Sequence, residues 1–228
     1  TLVLGNEIRG SGVFIDVGCG GGILTEALAG RGYRITGLEI SEGAVSAARR
    51  HAAASGARVE YRRGSVYDIK METESVDGVI ACDLFEHVHD LSRAVSECAR
   101  VLKPGGVLAF DTVNRTWLSL IGAIWIVQKW LRLMPANTHH WRMFITPREL
   151  ETVFLRSGLK IREIRGISPA AHPLGLAYKL WKERKFGPYR ISSDLRISYI
   201  GYAVKGNSVS KATDLRISQK SANTHGMV

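Results

Sequence analysis

Three groups of residues in this chain have types and spacings that could do chemistry. The first is Asp16-Val17-Gly18-Cys19-Gly20-Gly21-Gly22, which follows the apolar run Val13-Phe14-Ile15 and leads into a helical pattern from Ile23. A strand that turns through glycines into a helix makes a ligand cradle. Glycine permits the tight turn and lets a ligand approach bare backbone, and the helix start offers unpaired N–H groups and the positive end of its dipole. The second is Glu39, which closes the next apolar segment, 21 residues after Gly18. A carboxylate there can accept hydrogen bonds from both hydroxyls of a ribose. The third is Cys82-Asp83-Leu84-Phe85-Glu86-His87-Val88, in which Asp83, Glu86 and His87 stand at i, i+3 and i+4. A helical turn beginning at Asp83 would put all three on one face, and two carboxylates with an imidazole suit a divalent cation. The other reading of the same spacing is an acidic helix start with His87 hydrogen-bonded locally.

Two ligand classes use a glycine-rich turn of this kind. Dinucleotide enzymes use G-x-G-x-x-G and rest a pyrophosphate on the helix N-terminus, but here the third glycine position is Ile23. The stretch fits D-x-G-x-G-x-G better. An acid two residues before the first glycine suits a ligand that carries an ammonium group and no phosphate. That pattern resembles motif I of the S-adenosylmethionine-dependent methyltransferases. Many of those enzymes place an acid against the adenine amino group after the third strand; Ser65 holds that position here, with Asp68 three residues further on.

The elements that must position these groups alternate. Strands are predicted over Val13–Val17, Arg34–Glu39, Val59–Arg63, Val76–Cys82 and Val107–Thr112. Helices are predicted over Gly22–Gly30, from Ser41 as cap to about Ser55, and over Leu91–Leu102 before Lys103-Pro104-Gly105-Gly106. A β-α-β-α rhythm implies an α/β, doubly wound, mostly parallel sheet, whose right-handed crossovers gather the loops after the strands along one edge. Thr146-Pro147-Arg148-Glu149 is a capping box for a helix reaching Ser157. Sixth and seventh strands are expected over Leu159–Gly166 and Arg196–Val204, with an irregular basic stretch at Pro169–Pro188 between them. The expectation is a single seven-stranded, Rossmann-like domain over residues 1–205. It carries an apolar helical insertion at 117–145, after the fifth strand, and a disordered tail at 206–228. Asp194-Leu195-Arg196-Ile197-Ser198 recurs at Asp214–Ser218, and one five-residue echo is no structural repeat.

Within the insertion, Trp117–Pro135 is too apolar for a surface loop, yet Gln128, Lys129 and Arg132 leave it short of the ~20 apolar residues of a membrane span. It reads as a lid over a substrate, a helix lying on a membrane with tryptophans at the interface, or plain core. The chain has 228 residues and a net charge of +10, unevenly spread. Residues 1–102 hold 11 Lys/Arg against 14 Asp/Glu, and residues 103–228 hold 20 against 7. A basic second half suits an anionic partner, whether membrane surface, nucleic acid or acidic substrate. No aromatic or basic reading surface for nucleic acid accompanies it. Three cysteines without metal-like spacing argue against a disulfide framework and fit a reducing compartment. No signal peptide is visible, and the missing initial methionine suggests that a segment precedes Thr1.

The glycine loop, Thr36-Gly37-Leu38-Glu39, Glu86-His87-Val88 and Leu102-Lys103-Pro104-Gly105-Gly106 together are similar to the class I methyltransferases. Asp111-Thr112-Val113-Asn114-Arg115, Met134-Pro135, Thr138-His139, Phe144-Ile145-Thr146-Pro147 and Ser198–Lys205 narrow the resemblance to the O-methyltransferases of ubiquinone biosynthesis, over about residues 10–205. The resemblance implies methylation of phenolic oxygens on a polyprenylated aromatic ring, at a membrane, with S-adenosylmethionine and a divalent metal such as Mg2+ or Zn2+. It implies a small-molecule acceptor and a cytoplasmic or organellar location peripheral to a membrane. Gly18, Glu39 and Cys82 match the family's cofactor positions, to which the loop chemistry adds Asp16, Gly20 and, at the adenine, Ser65. Asp83, Glu86 and His87 match its metal-linked residues, with aspartate where glutamate is usual. A bound cation would stabilise the phenolate, and His139 is a candidate general base beside Glu86 and His87. A methyltransferase for another phenol, carboxylate or lipid is the alternative, ahead of one acting on nucleic acid.

Overall fold

The computed structural model describes residues 12–121, 140–170, 182 and 189–207. The apolar runs of the first half become parallel strands: β1 (Val13–Val17), β2 (Arg34–Glu39), β3 (Glu60–Arg63), β4 (Val76–Ala81) and β5 (Leu102–Val113). β6 (Leu159–Pro169), β7 (Tyr189–Ser192) and β8 (Ser198–Lys205) complete one sheet in the order β3-β2-β1-β4-β5-β8-β6-β7. β8 runs antiparallel between β5 and β6, and β7 runs antiparallel on the outer side of β6. The helices are α1 (Ile23–Ala29), α2 (Glu42–Ser55), α3 (Leu91–Val101), the short turn α4 (Trp117–Ser119) and α5 (Pro147–Arg156).

The chain winds outward in one direction from β1 and in the other from β4, so the crevice between the C-terminal ends of these two strands is where an open α/β sheet takes its ligand. Both chemistry-bearing loops, 18–22 and 82–87, leave the sheet at that crevice. The loop after β4 is anchored by Phe85, which is fully buried and stacks edge-on to Phe154 of α5, itself edge-on to Phe110 of β5. Such aromatic pairs contribute about 1 kcal/mol each beyond the area they bury. α3 turns Ala94, Val95, Cys98, Ala99 and Val101 onto the same core. Ser41 and Thr146 cap α2 and α5 as their sequences require, and the Thr146–Glu149 box is complete.

Three boundaries depart from expectation. Among the described residues the sheet has eight strands, because Tyr189–Ser192 pairs with Gly166–Pro169 just beyond the stretch expected to be irregular. That strand is mostly exposed, so no buried alternation marks it. β5 begins at Leu102, not Val107: Leu102 pairs with Val76, the register then shifts, and Val107 pairs with Gly78. Gly105, at φ +78°, takes up the irregularity. Finally, Gly206 donates its N–H to the Gly158 carbonyl, so the ordered chain runs past residue 205. The tail from 208 and residues 122–139 of the insertion lie outside the described residues. The two sides of that gap meet, however. Trp141 donates its indole N–H to the Thr116 carbonyl, and its ring lies 5.9 Å from that of Trp117.

Candidate active site

The glycine loop is set from below by β2. The amides of Gly18 and Cys19 both donate to the Leu38 carbonyl, at 2.7 and 3.1 Å. Gly18 and Gly22 have φ of +76° and +83°, where L-residues are strained. A side chain is also excluded by space: a Cβ on Gly22 would lie 2.3 Å from the Tyr61 hydroxyl, and one on Gly18 2.9 Å from Leu84 Cδ1. Gly20 and Gly21 differ, because nothing lies within 4 Å of where their Cβ atoms would stand. This is an open backbone cradle. Glu39 closes its side. One carboxylate oxygen accepts the Gly20 N–H at 3.1 Å and the other accepts the Ser41 N–H at 2.8 Å.

Asp16 stands at the inner wall. It is 2 % exposed, and Oδ2 accepts the Thr25 hydroxyl at 2.6 Å. Burial raises its carboxyl to about 6; the Thr25 bond opposes this and the Glu39 charge adds to it. Ser65 forms the turn after β3, its hydroxyl oxygen accepting the Tyr67 N–H and its carbonyl the Asp68 N–H. Cys82 is half-buried beside Asp111 and Asp16, and burial first, then those charges, push its thiol up.

The loop after β4 is not a helix from Asp83. Asp83 has φ +48°, and the only helical turn there is a 3-10 turn over Phe85–His87. The shared face expected of Asp83, Glu86 and His87 is therefore absent. Glu86 is 2 % exposed and points inward, Oε2 accepting the Thr112 hydroxyl at 2.8 Å, while Asp83 and His87 lie exposed. Among the described residues no group of three His, Cys, Asp or Glu side chains is placed to hold a metal ion. The expected donor set does not fit a cation as it stands. Glu86 Oε1 is buried with no hydrogen-bond partner. Burial raises this carboxyl to about 7; its own backbone and Thr112 oppose the shift, and Asp83 and Asp111 add to it. Desolvation lowers the His87 imidazole, and Asp83 opposes that.

Asp111 is a site residue that spacing did not single out. It is half-buried at the end of β5, and Oδ1 accepts the Asp83 N–H at 2.7 Å. Burial raises its carboxyl to about 6, and the Asp83 charge contributes. The available signal was its place as a strand-terminal acid in Asp111-Thr112-Val113-Asn114-Arg115. His139 lies outside the described residues. A separate groove lined by Val13, Ile69, Met71, Val76 and Arg100 includes the starts of β1 and β4, away from this crevice.

A methyltransferase domain family model matches residues 15–110, the span from β1 through the middle of β5. Solved structures of similar fold include a SAM-dependent methyltransferase from Methanosarcina mazei, with a TM-score of 0.65, 20 % identity, and 88 % of this chain and 95 % of that one covered. A possible histamine N-methyltransferase from Thermotoga maritima gives a TM-score of 0.61 at 22 % identity, covering 87 % of this chain and 84 % of the other. Likeness at that level shows the fold. Curated relatives go further. The ubiquinone biosynthesis O-methyltransferase of Hahella chejuensis is 38 % identical over 192 residues, 84 % of this chain and 75 % of that protein. The protein of the same name from Xanthomonas euvesicatoria is 37 % identical over 204 residues, 87 % and 78 %. The chain belongs to the ubiquinone biosynthesis O-methyltransferase family. It is an S-adenosylmethionine-dependent methyltransferase. The cradle fits that cofactor, with bare backbone at Gly20 and Gly21 and a carboxylate at Glu39. Among the described residues of this methyltransferase, no helix is long and apolar enough to cross a membrane.

Proposed function

We propose that this methyltransferase transfers a methyl group to a phenolic hydroxyl of a polyprenylated aromatic ring in ubiquinone biosynthesis. The observation that carries the reading is the 37–38 % identity, over more than four-fifths of the chain, to relatives named ubiquinone biosynthesis O-methyltransferase; the phenolic, prenylated acceptor is what the family resemblance implies. In this reading Asp16, Gly18, Gly20, Glu39, Ser65 and Cys82 hold the cofactor, which when bound supplies an electrophilic methyl carbon on a sulfonium sulfur. Glu39 takes the ribose hydroxyls. Gly20 lets the ligand approach the backbone. Asp16 places negative charge behind the cofactor's cationic groups.

A free phenol has a pKa of ~10 and is a poor nucleophile at neutral pH. The acceptor must lose its proton as the new bond forms. His87 and Asp83 are exposed polar groups on either side of Glu86 in the loop after β4. A neutral imidazole accepts a proton at pH 7, so His87 receives the phenolic proton and Asp83 stabilises the resulting cation. Glu86 works from beneath: its bond to Thr112 fixes the 3-10 turn that carries His87. Alignment of oxygen, methyl and sulfur supplies the rest of the rate. Mg2+ or Zn2+ dependence rests on the family resemblance alone, and the arrangement of Asp83, Glu86 and His87 does not favour it.

The lipid tail and membrane contact are supported at the edges of the insertion. Trp117 is 74 % exposed, Leu118 and Ile121 are exposed beside it, and the exposed Arg142 follows Trp141 in the chain. Exposed apolar side chains beside a cation suit a prenyl chain entering from an anionic bilayer. Labelled methyl transfer to a prenylated catechol and to the same ring without its tail tests this. A higher kcat/KM for the prenylated ring is expected. Turnover on the bare ring alone, or on a carboxylate instead, would move the reading to another small-molecule acceptor.

A further inference from the structure

We propose that Asp111 is a positioning residue for methyl transfer: its carboxylate holds the loop after β4 in the conformation that seats Leu84 on the cofactor loop and presents Asp83 at the crevice. The inference deepens the proposed function and rests on it. Asp83 has φ +48° without being glycine, a left-handed angle that aspartate tolerates better than most residues and that a contact from its surroundings holds in place. The holding contact is the N–H of Asp83 donated to Asp111 Oδ1 at 2.7 Å.

The consequence of that backbone angle is visible one residue on. Leu84 lies against Gly18 so closely that a Cβ there would stand 2.9 Å from Leu84 Cδ1. The acceptor loop and the cofactor loop are thus in register with each other through one side chain. β5 grips the loop a second time at its far end, where Thr112 donates to Glu86. Successive strand residues point to opposite faces, so Asp111 and Thr112 hold residues 83 and 86 from the two sides of β5. Phe85, between them, is fixed in the core on Phe154. Of these fastenings, Asp111 is the half-buried one. Placing it beside the like charge of Asp83 serves no packing purpose, and a local conflict of that kind marks a working site.

The test compares Asp111→Asn, whose amide oxygen still accepts the Asp83 N–H, with Asp111→Ala, which removes the protein acceptor and leaves that N–H to solvent. Two quantities are read: kinetics with a prenylated catechol, and the backbone amide resonance of Asp83. Asp111→Ala is expected to lower kcat about tenfold or more with little change in acceptor KM, and to move the Asp83 amide resonance and its exchange rate. Asp111→Asn, which keeps an acceptor oxygen, is expected to stay within about threefold of the parent and keep that resonance near its place. Should Asp111→Ala not fold, Asp111→Ser, whose hydroxyl is too short to span the gap, replaces it. Equal impairment of the Asn and Ala variants would overturn the proposal, since it would show that charge and not the held amide matters. Parent-like kinetics for Ala would overturn it too. The Asp83 amide reports on the loop without substrate, so failure of the parent enzyme to methylate the catechol would count against the proposed function alone.

Discussion

The hydroxyl of Thr25, in the first helix, donates to the carboxylate of Asp16, at the end of the first strand, at 2.6 Å and out of contact with solvent. The acid that looks in sequence like a ligand group is also a buried joint between strand and helix. Its carboxyl is raised from 3.8 to about 6, chiefly by burial. A folded-state pKa above the unfolded one means that the fold favours the protonated form. The stabilisation is complete below pH 3.8 and is lost as pH rises through about 6. Two units correspond to about 3 kcal/mol. Melting temperature measured from pH 4 to pH 8 should fall more steeply in the parent than in Asp16→Asn, with the difference concentrated between pH 4 and 6. Parallel profiles would show that Asp16 is ionised at no cost.

Glu39 shapes the cradle before any ligand arrives, because its two oxygens take the amides of Gly20 and Ser41. Glu39→Ala removes both acceptors and the ribose partner together. Affinity for S-adenosylhomocysteine, read by calorimetry, should fall at least about tenfold, while Glu39→Gln, which keeps one acceptor oxygen, falls less. Unchanged affinity in Glu39→Ala would remove Glu39 from the cofactor site.

Glu86 separates binding from turnover. It lies under the loop, 2 % exposed and bonded to Thr112. Glu86→Ala should therefore remove most turnover and leave S-adenosylhomocysteine affinity within about twofold. Equal loss of both would assign it a folding role. A chelator should likewise leave cofactor affinity unchanged. If it abolished turnover and Mg2+ restored it, Asp83, Glu86 and His87 would have to rearrange around an ion, against the inward placement of Glu86 seen here.

Trp117 and Leu118 offer apolar surface to solvent, with the exposed Arg142 next to Trp141. Co-sedimentation with anionic vesicles should weaken in Trp117→Ser/Leu118→Ser and as salt rises. Binding that ignores both changes would place the membrane contact elsewhere.

The features legible in the sequence are those whose chemistry is local. Glycines at 18, 20 and 22 are demanded by the turn itself, and Glu39 by its place at a strand end. The Thr146–Glu149 box is complete within four residues. What escaped depends on contacts between distant segments. Asp83 bonds to Asp111, 28 residues away, and that bond favours the backbone angle that spoils the i, i+3, i+4 face. Spacing alone assumed a helical turn where the chain makes a left-handed step. Strand 189–192 escaped for a different reason: an exposed edge strand needs no apolar alternation, only a partner. Lys103-Pro104-Gly105-Gly106 read as a helix stop and is one, but the chain is already pairing with β4 at Leu102.

The central claim is tested most directly by incubating the protein with S-adenosylmethionine and a prenylated catechol in vesicles, then locating the new methyl group by mass spectrometry and NMR. The account predicts a single methyl on a ring oxygen, formed stoichiometrically with S-adenosylhomocysteine. Tight cofactor binding with no methylated ring, or a methyl found on carbon or nitrogen, would contradict it.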